Sequence, residues 1–411
     1  MIQSTPTLFL LCLLAMLFRP PDFQFYSVDR MAFAVLAFIV LLQVVTERGA
    51  FQLTGSVSWA MLALLILATC SILTQPYDRQ AWCLIAAKFI VPYLLFHLSA
   101  FVFNNPSTWE KIELFSLLVL GYLIFTAIAF LTDTKWLIFP RFILDETLGI
   151  HADRARGPFL QAVANGVTLN ILGLIAIDSY QRGRLRGAWA FLMLTTLPLA
   201  IIATMTRAVW ISFFASVAFL CYRSNSGRLR RACFSIAICA IALLAVAVTS
   251  ERVGATLGDR AEESGPVELR LGVYEAGWNM FLEHPVFGWG LNQMPSELAR
   301  RVSDRNVAAL WAHNSYLEVL TEHGIVGFTL YAWLLIGIFR LPRRRPHNSQ
   351  TGPRGTGEPF RRIWPIVVFV YLFNAFFVVM NYQFVNALFF TLAGIIEAEN
   401  QGAKRMLRRQ S

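Results

Sequence analysis

Apolar runs long enough to cross a bilayer recur from one end of this 411-residue chain to the other, and they limit its fold more than any other feature. They fall near residues 7–18, 29–46, 57–73, 82–101, 112–131, 159–177, 187–203, 206–222, 232–250, 315–339, 363–380 and 382–398. A hydrocarbon layer about 30 Å thick takes roughly 20 residues of helix, and every backbone polar group inside it must be bonded within the protein. The expected fold class is therefore all-α: a polytopic membrane protein of about 12 transmembrane helices, with residues 1–411 forming a single integral membrane domain. Only 15% of the residues are charged, against about 25% in ordinary soluble chains. The first run is short, so eleven spans also satisfy the pattern. It does not read as a secretory signal, because Met1 to Thr7 has no basic residue and Arg19 follows the apolar run.

The basic residues set an expected orientation. Arg182, Arg184 and Arg186 share one connection, and Arg223, Arg228, Arg230 and Arg231 another; seven arginines lie between Arg340 and Arg362, and Lys404, Arg405, Arg408 and Arg409 end the sequence. With 12 spans all four clusters fall on one side, which the positive-inside rule makes cytoplasmic. Both termini are then cytoplasmic, and the net charge of +10 is a topology signal with an attraction to anionic membrane lipids, not a sign of nucleic-acid binding. The same count puts two longer segments, 132–158 and 251–312, on the periplasmic side. The second carries nine acidic residues and six arginines. Residues 341–362 read as a flexible cytoplasmic linker, rich in Gly, Pro and Ser from His347 to Glu358. The six cysteines lie in or beside the spans, with no disulfide framework and no zinc-ligand spacing, so no metal and no cofactor are expected.

Within this frame a histidine and four basic features carry chemistry on the outer face. In Trp311-Ala-His-Asn-Ser-Tyr-Leu-Glu318, the spacing Ser315-x-x-Glu318 reads as a capping box, so a helix starts near Asn314 or Ser315 with His313 just outside its first turn. The positive end of the helix dipole disfavours an imidazolium there, which suits a neutral proton acceptor; a helix cap or a packed polar residue is the plainer reading. Arg207, in Thr204-Met-Thr-Arg-Ala-Val-Trp210, falls in a first helical turn capped by Thr206, a place that favours an anion unless the arginine snorkels beside Trp210. Gly265-Pro-Val-Glu268 starts and His284-Pro285 stops an amphipathic helix in the periplasmic loop, with Arg270, Tyr274, Trp278 and Phe281 or Leu282 on one face. Arg154 and Arg156, followed by Asn165, lead into the sixth span; Lys88, inside an apolar span before Pro92, is costly there and a functional candidate. Glu318 and Glu322 stack at i,i+4 and can orient a cation or cap and pair. Cations around a neutral histidine fit transfer from a lipid-linked anion, since Arg forks match pyrophosphate oxygens and a positioned base supplies about 10²–10⁴-fold.

These residues resemble the O-antigen ligase and polymerase superfamily of bacterial envelopes. The resemblance rests on Arg156-Gly-Pro-Phe159 with Asn165, Thr206-Arg-Ala-Val-Trp210, Arg270 to Trp278, His284-Pro-Val-Phe-Gly-Trp-Gly290, and His313-Asn-Ser-Tyr-Leu-Glu-Val-Leu-Thr-Glu-His-Gly-Ile-Val-Gly327. It covers about residues 154–340, the expected ligase/polymerase core region. It implies a C-type membrane glycosyltransferase architecture in the bacterial inner membrane and an undecaprenyl-pyrophosphate-linked glycan donor. The implied reaction is an inverting, metal-independent transfer on the periplasmic side, to lipid A-core or to a second lipid-linked glycan. Arg207 and Arg270 would hold the pyrophosphate and His313 would activate the acceptor. Beside what the resemblance implies, the residue reading adds Lys88 and Arg154 to a donor-binding set that includes Arg156, and Glu318 and Glu322 to a supporting set with Asn165, Asn314 and Tyr274. A non-enzymatic flippase of lipid-linked glycans is the alternative from another class; it would place basic residues along the whole pathway and need no base at His313.

Overall fold

A computed structural model describes residues 4–19, 28–46, 55–103, 106–223, 227–228, 230–238, 265–302, 309–343 and 357–410. Among the described residues every regular element is helical and no strand occurs. In chain order the helices are α1 (Thr5–Leu17), α2 (Val28–Thr46), α3 (Gly55–Leu73), α4 (Arg79–Ile85), α5 (Val91–Val102), α6 (Pro106–Leu131), α7 (Ala162–Arg182), α8 (Gly187–Ala203), α9 (Arg207–Arg223), α10 (Gly265–Glu283), α11 (Met294–Arg301), α12 (Ser315–Arg340), α13 (Gly357–Ala375) and α14 (Gln383–Gln410). Six segments are long and apolar enough to cross a membrane: Val28–Thr46, Gly55–Leu73, Arg79–Val102, Ser107–Leu131, Ala162–Arg182 and Ser315–Arg340. Shorter apolar helices occupy Thr5–Leu17, Gly187–Ala203 and Ile363–Ala375. The chain is a multi-pass membrane protein. Residues 239–250 of the expected run 232–250, most of the non-helical part of 251–312 and residues 344–356 of the linker lie outside the described residues.

The most polar span sits at the centre. In α7, Asn165, Thr168, Asn170, Asp178 and Ser179 are all buried along with the apolar residues between them. Polar side chains inside a bilayer must find protein partners. Asn170 Nδ2 donates to Ser212 Oγ of α9 at 3.2 Å, Asn374 Nδ2 of α13 donates to the same oxygen at 3.0 Å, and Arg182 spans Asp178 and Glu113 at the far end. The outer helices show the reverse pattern: α2 leaves Val35, Phe38, Leu41, Leu42 and Val45 exposed, a face suited to lipid.

Three packing relations position the candidate site. Helix α13 packs against both α7 and α9, α12 lies against α3 and α13, and α10 lies across α12. Helix α10 starts at Gly265 and ends at Glu283, before His284-Pro285, as its start and stop residues predict. The face that packs inward is offset from the one that carries Arg270 and Trp278. Val273, Gly277 and Met280 face Met294 and Leu298 of α11 and Ala312, whereas Leu271, Trp278 and Leu282 are exposed. Helix α11, with Pro295 in its first turn, was not anticipated.

Candidate active site

The site is built around the mouth of α12. Asn314 has extended backbone angles (φ −154°, ψ 110°), and its Oδ1 accepts from the amides of Tyr316 at 2.9 Å and Leu317 at 3.2 Å, so it is the cap. The Ser315–Glu318 capping box does not form. With the free amides already served by Asn314, Ser315 Oγ donates to the Val378 carbonyl at 3.0 Å and accepts from the Met380 amide at 2.9 Å. Glu318 turns to another helix, where its Oε1 meets Lys88 Nζ at 2.9 Å. Just outside the cap, His313 holds φ at 48°, a left-handed conformation that costs a residue with a Cβ roughly 1–3 kcal/mol and is concentrated at functional sites.

Helix α12 is broken one residue after His323. Gly324 has φ 62° and ψ −163°, which interrupts the backbone ladder that a single apolar run 315–339 led one to expect. Four backbone groups lose their helical partners, and the turn after α10 satisfies all four. The amides of Ile325 and Val326 donate to the carbonyls of Pro285 and Val286 at 2.9 and 3.3 Å, while the amides of Trp289 and Gly290 donate to the carbonyls of Thr321 and Glu322, both at 2.9 Å. Irregular backbone at membrane depth is tolerated only with such replacement. The approach is close enough that a Cβ on Gly324 would lie 2.3 Å from the Val286 oxygen, and one on Gly288 2.4 Å from the Glu322 carbonyl carbon. His284-Pro-Val-Phe-Gly-Trp-Gly290 is therefore a backbone splint for α12. Its outer side is fastened by Trp289, whose Nε1 donates to Met280 at 2.8 Å and whose ring lies 5.2 Å from the Arg301 guanidinium; Arg301 in turn grips both Glu283 oxygens at 2.6 and 2.7 Å.

The half-helix 315–323 is thus held by its neighbours. Besides the contacts above, Tyr316 donates its hydroxyl to the Leu372 carbonyl at 2.9 Å, and Thr321 Oγ1 donates to the Gly277 carbonyl at 3.2 Å. Glu322 Oε1 accepts from the Asn292 amide at 2.9 Å. Tyr274 reaches the Phe376 carbonyl at 3.3 Å, which ties α10 to the same loop after α13 that receives Ser315. A cavity of about 100 Å³ lies beside this half-helix, lined by Lys88, Glu318, His323, Tyr331, Tyr371 and Asn386 among mostly apolar side chains.

The sequence-derived cations fall into two groups. Arg207 is the first residue of α9 and exposed; Arg270 is partly buried on α10. Neither has a hydrogen-bond or ion-pair partner among the described residues. Arg270 is close enough to His313 to act on it. The imidazole's pKa is held below its ordinary value, first by desolvation of the covered part of the exposed residue and second by the Arg270 charge. The neutral ring expected from a helix dipole thus arises from burial and a neighbouring cation. At α9 the Thr206 hydroxyl donates to the Thr204 carbonyl at 2.9 Å instead of accepting from the helix, and Trp210 Nε1 donates to the Ile201 carbonyl at 3.0 Å.

Arg156, Arg154 and Lys88 are otherwise engaged. Buried Arg156 directs Nε to the Ile143 carbonyl at 3.0 Å, Nη1 to Leu148 and Nη2 to Asp145, clamping the 141–148 segment from within. Arg154 lies 3.8 Å from Asp153, and Lys88 pairs with Glu318. Asn165, fully buried, donates to the Ala155 carbonyl at 2.8 Å, and the Ala155 amide donates to Ala203 at 3.0 Å. The Arg154–Phe159 segment is thereby fixed beside the turn that carries Arg207. Sequence reasoning missed the splint, although its signal was present: a glycine pair, Gly288 and Gly290, and a His-Gly step inside an apolar run.

Among the described residues the guanidiniums of Arg207, first in α9, and Arg270, within α10, have no partner, the His313 pKa is lowered, and no group of three His, Cys, Asp or Glu side chains is placed to hold a metal. No curated protein matches the chain. Residues 188–332, which run from α8 through the splinted break of α12 and include Arg207, Arg270 and His313, match the family model described as O-antigen ligase.

Proposed function

We propose that the chain is a glycan ligase of the bacterial inner membrane that transfers a glycan from an undecaprenyl-pyrophosphate donor to lipid A-core or a related acceptor on the periplasmic face. The observation that carries this reading is the pairing of Arg270 with His313. A guanidinium without a partner among the described residues stands near an imidazole whose pKa is lowered first by desolvation and second by that guanidinium's charge. In the proposed reaction neutral His313 takes the proton of the acceptor hydroxyl. The hydroxyl oxygen then bonds to the anomeric carbon as the bond from that carbon to the pyrophosphate oxygen breaks on the opposite face, with inversion. Arg207 and Arg270 hold the charge that builds on the departing undecaprenyl pyrophosphate, a task for planar two-pronged donors. Arg154, Arg156 and Asn165 support the reading less directly, by fixing the loop beside Arg207.

The test is transfer by purified protein from lipid-linked donor to acceptor. Arg207→Ala and Arg270→Ala, normally expressed, lose most activity, and Arg207→Lys is already impaired because it keeps charge but not the fork. Wild-type rates in both alanine variants refute the assignment. Lipopolysaccharide gels of a deletion strain separate the acceptors: loss of capped lipid A-core with lipid-linked polymer retained means a ligase, and survival of a one-repeat cap means a polymerase.

A further inference from the structure

Lys88 stands on an irregular backbone. Residues Ala86–Ile90 form a single π-turn between α4 and α5, in which the Val91 amide reaches back five residues to the Ala86 carbonyl. Pro92 follows, and its missing N–H leaves the Lys88 carbonyl without the usual helical donor. From this turn the Lys88 ammonium crosses to α12 and meets Glu318 at 2.9 Å, with both side chains nearly buried. Glu318 lies five residues after His313, in the half-helix whose ladder to the rest of α12 is cut at Gly324. The lower part of α12 therefore does not set where that half-helix sits; its lateral anchors do. Those anchors are hydrogen bonds, to Val378, Met380, Leu372, Gly277, Asn292, Trp289 and Gly290, the packing of Tyr316 on Phe376 and of Leu317 on the α10–α11 cluster, and one ion pair. Beside the ion pair lies the cavity of about 100 Å³, so on that side of the half-helix the pair is not backed by close packing.

We propose that Lys88 and Glu318 form a positioning strut that sets the location of the His313 mouth, so that Lys88 acts on transfer through α12 and not by touching the donor's pyrophosphate. This rests on the glycan-transfer reading for its activity readout but not for its structural one. Replacing one partner would strand a buried charge and threaten folding, so the informative variant removes both charges. Lys88→Met with Glu318→Gln is expected to remain folded and to lose about 10–10²-fold in kcat, the scale of loss for a reacting group misplaced by about 1 Å, with donor KM within twofold of wild type. The exchanged pair, Lys88→Glu with Glu318→Lys, is expected to recover at least half of that loss on a logarithmic scale. Amide hydrogen exchange, followed without substrate, is expected to rise in the double-neutral variant across residues 314–323 and to stay unchanged across 326–338.

Each contrary result is specific. A raised donor KM with kcat preserved assigns Lys88 to the pyrophosphate and overturns the strut. Wild-type kcat together with unchanged exchange across 314–323 reduces the pair to a general membrane-bundle contact and also overturns it. If the exchange change appears while His313→Ala retains full transfer, the strut stands and the catalytic reading fails.

Discussion

Gly324→Ala is the sharpest perturbation of the architecture that carries His313. Gly324 occupies φ 62° and ψ −163°, a region open essentially to glycine alone, so an alanine there costs about 1–3 kcal/mol in backbone strain. Its Cβ would also meet the Val286 oxygen at 2.3 Å, the Val286 carbonyl carbon at 2.4 Å and the Phe287 nitrogen at 2.7 Å. All three are backbone atoms, which cannot swing aside as a side chain would. Displacing the splint weakens at least the Ile325–Pro285 and Val326–Val286 hydrogen bonds, at about 0.5–1.5 kcal/mol each. Together these give a loss of roughly 2–6 kcal/mol. Gly272→Ala is the matched control: it lies in α10, and an added Cβ meets nothing within 4 Å, so the helix gains about 0.5–1 kcal/mol. Thermal unfolding of the detergent-solubilised variants, with amide exchange at Trp289 and Gly290, reads both effects. A Gly324→Ala protein that melts with Gly272→Ala and keeps those amides protected would refute the splint.

Two further outcomes test electrostatics and orientation. Arg270→Gln removes a cation that disfavours the imidazolium, so the His313 pKa, read by NMR of labelled histidines, should rise toward the ordinary value but stay below it, since burial is the larger cause; an unchanged or lower value contradicts the Arg270–His313 proximity. Asn279→Cys, exposed on α10, in a background lacking the native cysteines, should be labelled by an impermeant maleimide in cells with a permeabilised outer membrane. Labelling only after inner-membrane lysis would reverse the orientation, and with it the side of the site.

Much of the membrane architecture is legible because its physics is local. Span lengths follow from apolar runs, and the limits of α10 from Pro266 and from His284-Pro285. What the sequence does not display is pairing between distant segments. Ser315 and Glu318 have capping-box spacing, yet Asn314 caps and both side chains find tertiary partners, one 63 residues away and the other 230. Lys88 looks like an unpaired cation in a one-dimensional reading, because its carboxylate partner is on another helix. Arg156 sits in a motif that suggests anion binding, but the carbonyls that occupy its guanidinium come from a loop without periodicity to announce them. Arg207, Arg270 and His313 survive as a candidate set because they lack such partners among the described residues, which only the packed structure reveals.

The account's central claim is that neutral His313 is the base for transfer, and the most direct measurement is the in vitro transfer rate of wild type and His313→Ala from pH 5 to 9. The wild-type rate should fall on the acid side, as pH drops through a His313 pKa held below its ordinary value and the ring takes a proton. His313→Ala should run about 10²–10⁴-fold slower at neutral pH, without that acid limb, while still folded and still binding donor. Full activity of His313→Ala with the wild-type pH profile would contradict the claim and leave His313 as an exposed residue beside a helix cap.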